Sequence, residues 1–206
     1  MRLSNALICG MLMGAHAWAG TIIGNLGSAE TGAYSVCCSN NVGAGFTINA
    51  GIDYTLDLAK ATVTIGTGAV FSAQLFGTSG GNPVGPALLT FLLDPGFVGG
   101  PAEQTINLTP NIPFTLKAST TYWLVLRGGF AWRNTNGVPT GPSATDAGTR
   151  FDSLQPPQTV VGPEHPLFEI DGTAIGQQAG VPEPTTIGLA GLGLLCLLWA
   201  RRRLRA

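Results

Sequence analysis

The sequence predicts an all-β fold: a two-sheet antiparallel sandwich, jelly-roll-like or immunoglobulin-like, flanked by an N-terminal signal helix and a C-terminal transmembrane helix. Three observations carry this expectation. Apolar and polar residues alternate in short runs, the pattern of half-buried strands. The 206-residue chain holds 30 glycines and 14 prolines, and many of them punctuate those runs as turns. Between Gly20 and Gly180 no stretch sustains a helical period.

The start, MRLSNALICGMLMGAHAWAG, sets Arg2 before a mostly apolar stretch from Leu3 to Ala15 and closes on Ala17-Trp18-Ala19. Basic lead, apolar core and small-x-small close are the layout of a secretory signal peptide, residues 1–19. Signal peptidase is expected to cut between Ala19 and Gly20. A membrane anchor at this end would need about 20 apolar residues.

The β-domain is then assigned to residues 20–175. In YTLDL, Tyr54, Leu56 and Leu58 share one face, with Thr55 and Asp57 on the other. ATVTI continues with Ala61, Val63 and Ile65, so the apolar phase has moved from even to odd positions. A two-residue period cannot change phase without an irregularity, which predicts a bulge or kink near Ala59-Lys60. VFSAQLFG faces Phe71, Ala73 and Leu75 inward. QTINLT and PFTLKA align Ile106 with Leu108 and Phe114 with Leu116. TTYWLVLRGG is apolar at every position from Tyr122 to Leu126, which predicts a central strand covered on both faces. PLFEIDG sets Leu167, Phe168 and Ile170 against Glu169 and Asp171. GTSGGNPVGP and GFVGGP read as turns. The run from Gly172 to Gly180 reads as a flexible tether, with the linker placed at 176–181.

The chain closes on VPEPTTIGLAGLGLLCLLWARRRLRA. Thr185 to Ala200 carries no charge, and four of the ten basic residues, Arg201, Arg202, Arg203 and Arg205, fall in the last six positions. As a helix, 185–200 spans about 24 Å, short of a hydrocarbon core of about 30 Å. Trp199 at the interface and snorkelling arginines complete the span. Clustered arginine stays cytoplasmic, which places residues 20–181 outside an inner membrane. Pro182 and Pro184 fix an extended, accessible backbone ahead of the span.

Val181-Pro182-Glu183-Pro184, the Gly/Leu-rich span and the Arg cluster, together 182–206 from the first proline, resemble the PEP-CTERM sorting signal of Gram-negative bacteria. The resemblance implies processing by exosortase, a membrane-embedded protease/transpeptidase, near the Pro-Glu-Pro site. It also implies surface display or release, often beside exopolysaccharide and biofilm production. A second resemblance covers most of Thr21 to Ile175. GAGFTI, YTLDLAKATVTI, VFSAQLF with its Gly/Pro loop, and LKASTTYWLVLRGG look like a choice-of-anchor domain of type R. That family implies a bacterial surface domain and supplies no catalytic residue.

Charge and composition exclude several functions. Residues 20–180 hold five basic against ten acidic residues, a net −5, although the whole chain sums to −1. No basic stripe remains to neutralise phosphates, so nucleic acid is not an expected partner. Cys37 and Cys38 are adjacent, and read either as a vicinal disulfide permitted by export or as two reduced thiols. They are too few for a disulfide framework. His165, between Pro163 and Pro166, reads as a solvated turn residue. No nucleophile elbow accompanies it. Asp53 and Asp57 lie about 13 Å apart along a strand, wider than the roughly 5–9.5 Å of a glycosidase pair. Asp146, Asp152 and Asp171 are weak calcium candidates, and neither a metal nor a cofactor is expected.

One ligand-binding candidate remains: Trp132, Arg133 and Asn134 in GGFAWRNTNG. On a sandwich loop, a flat ring beside oriented amides suits a sugar, while a core plug at the sandwich end is the favoured reading of Trp132. The sequence therefore predicts a non-enzymatic, exosortase-sorted protein of the cell surface or extracellular matrix. Before sorting it is held in the inner membrane with a cytoplasmic C-terminus. A carbohydrate-binding module in the exopolysaccharide is the alternative form, and a secreted hydrolase is the third.

Overall fold

The alternating runs become thirteen β-strands in the computed structural model, which describes residues 19–36, 41–66, 70–94, 100–152 and 163–176. They are β1 (Gly20–Gly24), β2 (Gly32–Val36), β3 (Asn41–Ile48), β4 (Tyr54–Ile65), β5 (Phe71–Ser79), β6 (Asn82–Leu93), β7 (Gly100–Pro110), β8 (Thr115–Leu116), β9 (Thr121–Gly128), β10 (Phe130–Thr135), β11 (Ala144–Asp152), β12 (His165–Pro166) and β13 (Phe168–Ala174). The described residues contain no helix. The predicted signal helix and the transmembrane segment 185–200 lie outside them.

The fold class is all-β, and the strands follow one hydrogen-bonded path, β1-β13-β4-β7-β6-β5-β9-β3-β11. Two free-standing sheets would have no such path. β6 makes the join: residues from Asn82 to Thr90 pair with β5, and Phe91–Leu93 pairs with β7. The path nearly closes on itself. Gly24 N and Thr140 N each donate to the other's carbonyl at 3.0 Å, and Ser143 N reaches Ile22 O at 3.4 Å. These bonds bring β1 against the segment that leads into β11. The result is a nearly closed, barrel-like sheet with β2, β8, β10 and β12 branching from it.

Inside lies one apolar cluster that includes Ile22, Phe46, Ile65, Leu75, Leu108, Leu124, Trp132 and Phe168. Burying a side chain such as Leu124 contributes about 1.5–3 kcal/mol. Tyr122 packs edge-on to Phe114 at 5.9 Å between ring centroids, and its hydroxyl accepts Lys117 N at 2.9 Å.

The irregularity predicted within β4 is present, two residues early. Asp171 pairs with Leu58 but Gly172 pairs with Leu56, so Asp57 is the extra residue. After it, Ala59, Ala61, Val63 and Ile65 all point inward. Strand β9 is buried on both faces, as its unbroken apolar run predicts: Tyr122, Leu124 and Leu126 face the main core. Trp123 and Val125 face outward, where Phe76 and Ala87 pack on them. The tether read from Gly172 begins later, because Gly172, Thr173 and Ala174 pair with Leu56, Thr55 and Tyr54.

Candidate functional site

The sequence places chemistry in four regions, and the structure describes two of them. Val181 to Pro184, Arg201, Arg202, Arg203, Arg205 and the pair Cys37-Cys38 lie outside the described residues. The remaining candidates sit on β10, and around β11 and β12.

Trp132, Arg133 and Asn134 are predicted on a loop. They stand instead in strand β10, which pairs with β2 and β4. Alternation then decides their roles. Trp132 points inward and is fully buried, and its Nε1–H donates to Leu167 O at 2.9 Å. The ring is a core plug and offers no face to a ligand. Arg133 points outward into two ion pairs, with Glu30 and with Glu103 at 3.0 Å. The Nε–Glu103 contact is a charge contact and not an aligned hydrogen bond, since that nitrogen has no hydrogen-bond acceptor among the described residues. Asn134 is buried and donates Nδ2 to Glu164 Oε2 at 2.8 Å. Its backbone carbonyl accepts Thr31 N at 2.9 Å. All three side chains are thus committed to holding β10 against its neighbours.

Glu164 and His165, the residue before β12 and its first, stand beside this network. Tyr34 donates its hydroxyl to Glu164 O at 3.0 Å, and His165 Nδ1 stands 3.6 Å from Asp146 Oδ2. That separation is too long for a hydrogen bond, and Asp146 Oδ1 already accepts Gly148 N at 3.2 Å. The His–Asp geometry is not that of an oriented general base. Asp53 and Asp57 are likewise occupied: Asp53 accepts Lys117 Nζ and Ala118 N, both at 2.8 Å, and Asp57 accepts Thr173 Oγ1 at 2.6 Å. Among the described residues no three His, Cys, Asp or Glu side chains gather as a metal site would require.

Burial pushes the Tyr34 phenol up to about 12, with the Glu164 charge adding to it and the Asn134 amide opposing. The shift has a definite sign. The folded state holds the phenolic proton more tightly than the unfolded chain does, so the associated stability is intact below about pH 10. It is lost as pH rises from there through 12. An alkaline titration followed by tyrosinate absorbance is expected to show a component near 12 that disappears in Tyr34→Phe.

The outer face of β9 carries a feature that strand patterns do not reveal. The Trp123 ring lies flat over β3 at Gly45, where a Cβ would come within 2.8 Å of the indole. On its other side Arg150 places its guanidinium 5.5 Å from the ring centroid. That guanidinium is pinned by Asn82 Oδ1 at 2.9 Å from Nε, Thr149 O at 3.4 Å from Nη1 and Gly81 O at 3.3 Å from Nη2. Gly80 and Gly81 form the β5–β6 turn with φ of 59° and 78°, a left-handed conformation that favours glycine. Arg127 stacks 5.2 Å over Phe76. Between the two arginines opens a cavity of about 160 Å³ with Asn41, Phe76, Val84 and Val125 in its walls. No local sequence pattern signals it, because each aromatic–cation pair joins residues distant in the chain.

No curated protein matches this chain. Residues 180–203 match the PEP-CTERM protein-sorting motif, the signal of an exported surface protein that transits the membrane and is processed by exosortase.

Proposed function

We propose that the protein is a non-catalytic component of the cell surface or extracellular matrix, delivered by exosortase and working alongside exopolysaccharide in a biofilm. The match at residues 180–203 is the observation that carries this reading. In it, residues 1–19 are a signal peptide, 20–175 a choice-of-anchor domain related to type R, and 176–181 a linker. Residues 182–206 carry the Pro-Glu-Pro motif, a span at 185–200 and a cytoplasmic arginine tail. The sorting step needs an exposed, extended Val181-Pro182-Glu183-Pro184, and two prolines favour that shape. The non-catalytic reading is supported by the commitments of four polar side chains: Asp53, Asp57, Arg133 and Asn134 all hold hydrogen bonds or ion pairs within the domain. A glycan-binding form of the reading can no longer lean on Trp132.

Mass spectrometry of the C-terminus tests the proposal. Surface material from the wild type is expected to end near the Pro-Glu-Pro motif and to lack Arg205. A Pro182→Ala/Pro184→Ala double variant is expected to keep residues 185–206 and remain in the membrane fraction. An intact Arg205 in wild-type surface material overturns the sorting reading. Turnover of glycan or peptide libraries by the purified chain overturns the non-catalytic one.

A further inference from the structure

The domain has five cationic side chains, and they divide into two groups. Lys60 pairs with Glu169 and Asp171, Lys117 with Asp53, and Arg133 with Glu30 and Glu103. Arg127 and Arg150 have no carboxylate partner among the side chains that the structure describes. Both instead stack on aromatic rings, and both line the same cavity. Two such stacks are ordinary for a domain of this length, but here both guanidinia line one hollow in a segment of net charge −5.

Donor accounting sharpens the point. A guanidinium has five N–H donors in a planar fork. Arg150 engages three of its own with Asn82, Gly81 and Thr149, which fix its position and leave two unspent. Arg127 is exposed and meets no acceptor among the described residues. The fork geometry matches a carboxylate or another oxyanion. The floor between the forks is apolar, made by Phe76 and Val125, with Val84 at the rim, and Gly43 leaves it unfilled. A bare inorganic ion would satisfy the arginines and leave that floor wet. A volume of about 160 Å³ is below the ~300 Å³ of sites for drug-sized ligands, so the occupant is compact.

We propose that this cavity on the outer face of β9 binds a small organic carboxylate, held by Arg127 and Arg150 with its apolar side on Phe76 and Val125. The carboxylate comes from one of two sources, an acidic sugar ring or a short-chain acid. The site is independent of the sorting signal and of β10.

Calorimetric and NMR titration of the full-length chain in detergent tests it, with glucuronate, butyrate, glucose and sulfate as separate probes. Saturable binding of glucuronate or butyrate is expected, with a shift of the Trp123 indole N–H resonance and no response to glucose. Glucuronate alone would indicate the sugar as source, and butyrate alone the short-chain acid. Arg127→Gln is expected to weaken binding about tenfold or more while lowering the melting temperature by no more than a few degrees, the effect of losing its stack on Phe76. Arg150→Gln should do the same. If it loosens the β5–β6 hairpin, Arg127→Gln decides alone. Binding of sulfate as tight as either carboxylate, an unchanged affinity in Arg127→Gln, or no saturable binding of any probe overturns the proposal.

Discussion

Trp132→Ala is expected to lower the unfolding free energy by about 3–5 kcal/mol, a large part of the ~5–15 kcal/mol available to a domain. Two losses combine. The indole is fully buried beneath the β10–β4 pairing, so its removal leaves a large void in the main core. Its Nε1–H also satisfies Leu167 O, a carbonyl that Ala leaves without that donor. Trp132→Phe separates the terms: it retains most of the volume and should cost about 0.5–1.5 kcal/mol for the lost hydrogen bond, since Leu167 O still accepts Thr62 N at 3.1 Å. Chemical denaturation measures both. A residue serving as an exposed ligand platform would behave oppositely, with binding lost and stability spared. A loss below about 1 kcal/mol in Trp132→Ala would remove the core assignment.

The second large effect is expected at Gly141. A Cβ there would stand 2.0 Å from Ile22 O and 2.6 Å from Ile23 Cα. Both are backbone atoms of β1, so no rotamer change relieves the contact and the chain itself must move. The position adjoins the paired bonds between Gly24 and Thr140 that bring the ends of the sheet together. Gly141→Ala should therefore cost about 1–3 kcal/mol or more and open the seam, with faster hydrogen exchange at the Gly24 and Thr140 amides. Gly27→Ala is the control: a Cβ there meets nothing within 4 Å, and the expected change lies within about 0.5 kcal/mol. Equal behaviour of the two variants would show that β1 does not close the sheet through this contact.

Much of the strand content was legible because it depends on local alternation. YTLDLAKATVTI announced both β4 and its phase break, and the unbroken run in TTYWLVLRGG announced a strand covered on both faces. The misses share a cause. NPVGPALLTFLL was read in part as a turn because Pro83, Gly85 and Pro86 argue against a ladder. Gly85 and Pro86 are tolerated because they fall where β6 shifts register against β5, while Pro83 pairs with Thr78 on a stretch of β6 that pairs with β5 alone. NVGAGFTI holds two glycines that weaken a strand in isolation. Gly45 is nevertheless required there, because the Trp123 ring occupies the space a side chain would fill. FAWRNT was taken for a loop on its asparagine and charge, although its strand period is carried by Phe130, Trp132 and Asn134. Closure of the sheet left no trace in any single run, since it rests on contacts between β1 and residues 140–143. The arginine-lined cavity was equally invisible: Arg127 and Arg150 acquire meaning only when Phe76 and Trp123 are brought beneath them.

The place of β13 in the sheet has a mechanical consequence. It is the last strand before the C-terminal tail, yet it is an interior one, bonded to β1 on one side and β4 on the other. Tension transmitted from beyond Gly176 runs along its axis and loads both ladders in shear. Many bonds must then fail together, where an edge strand would peel away one rung at a time.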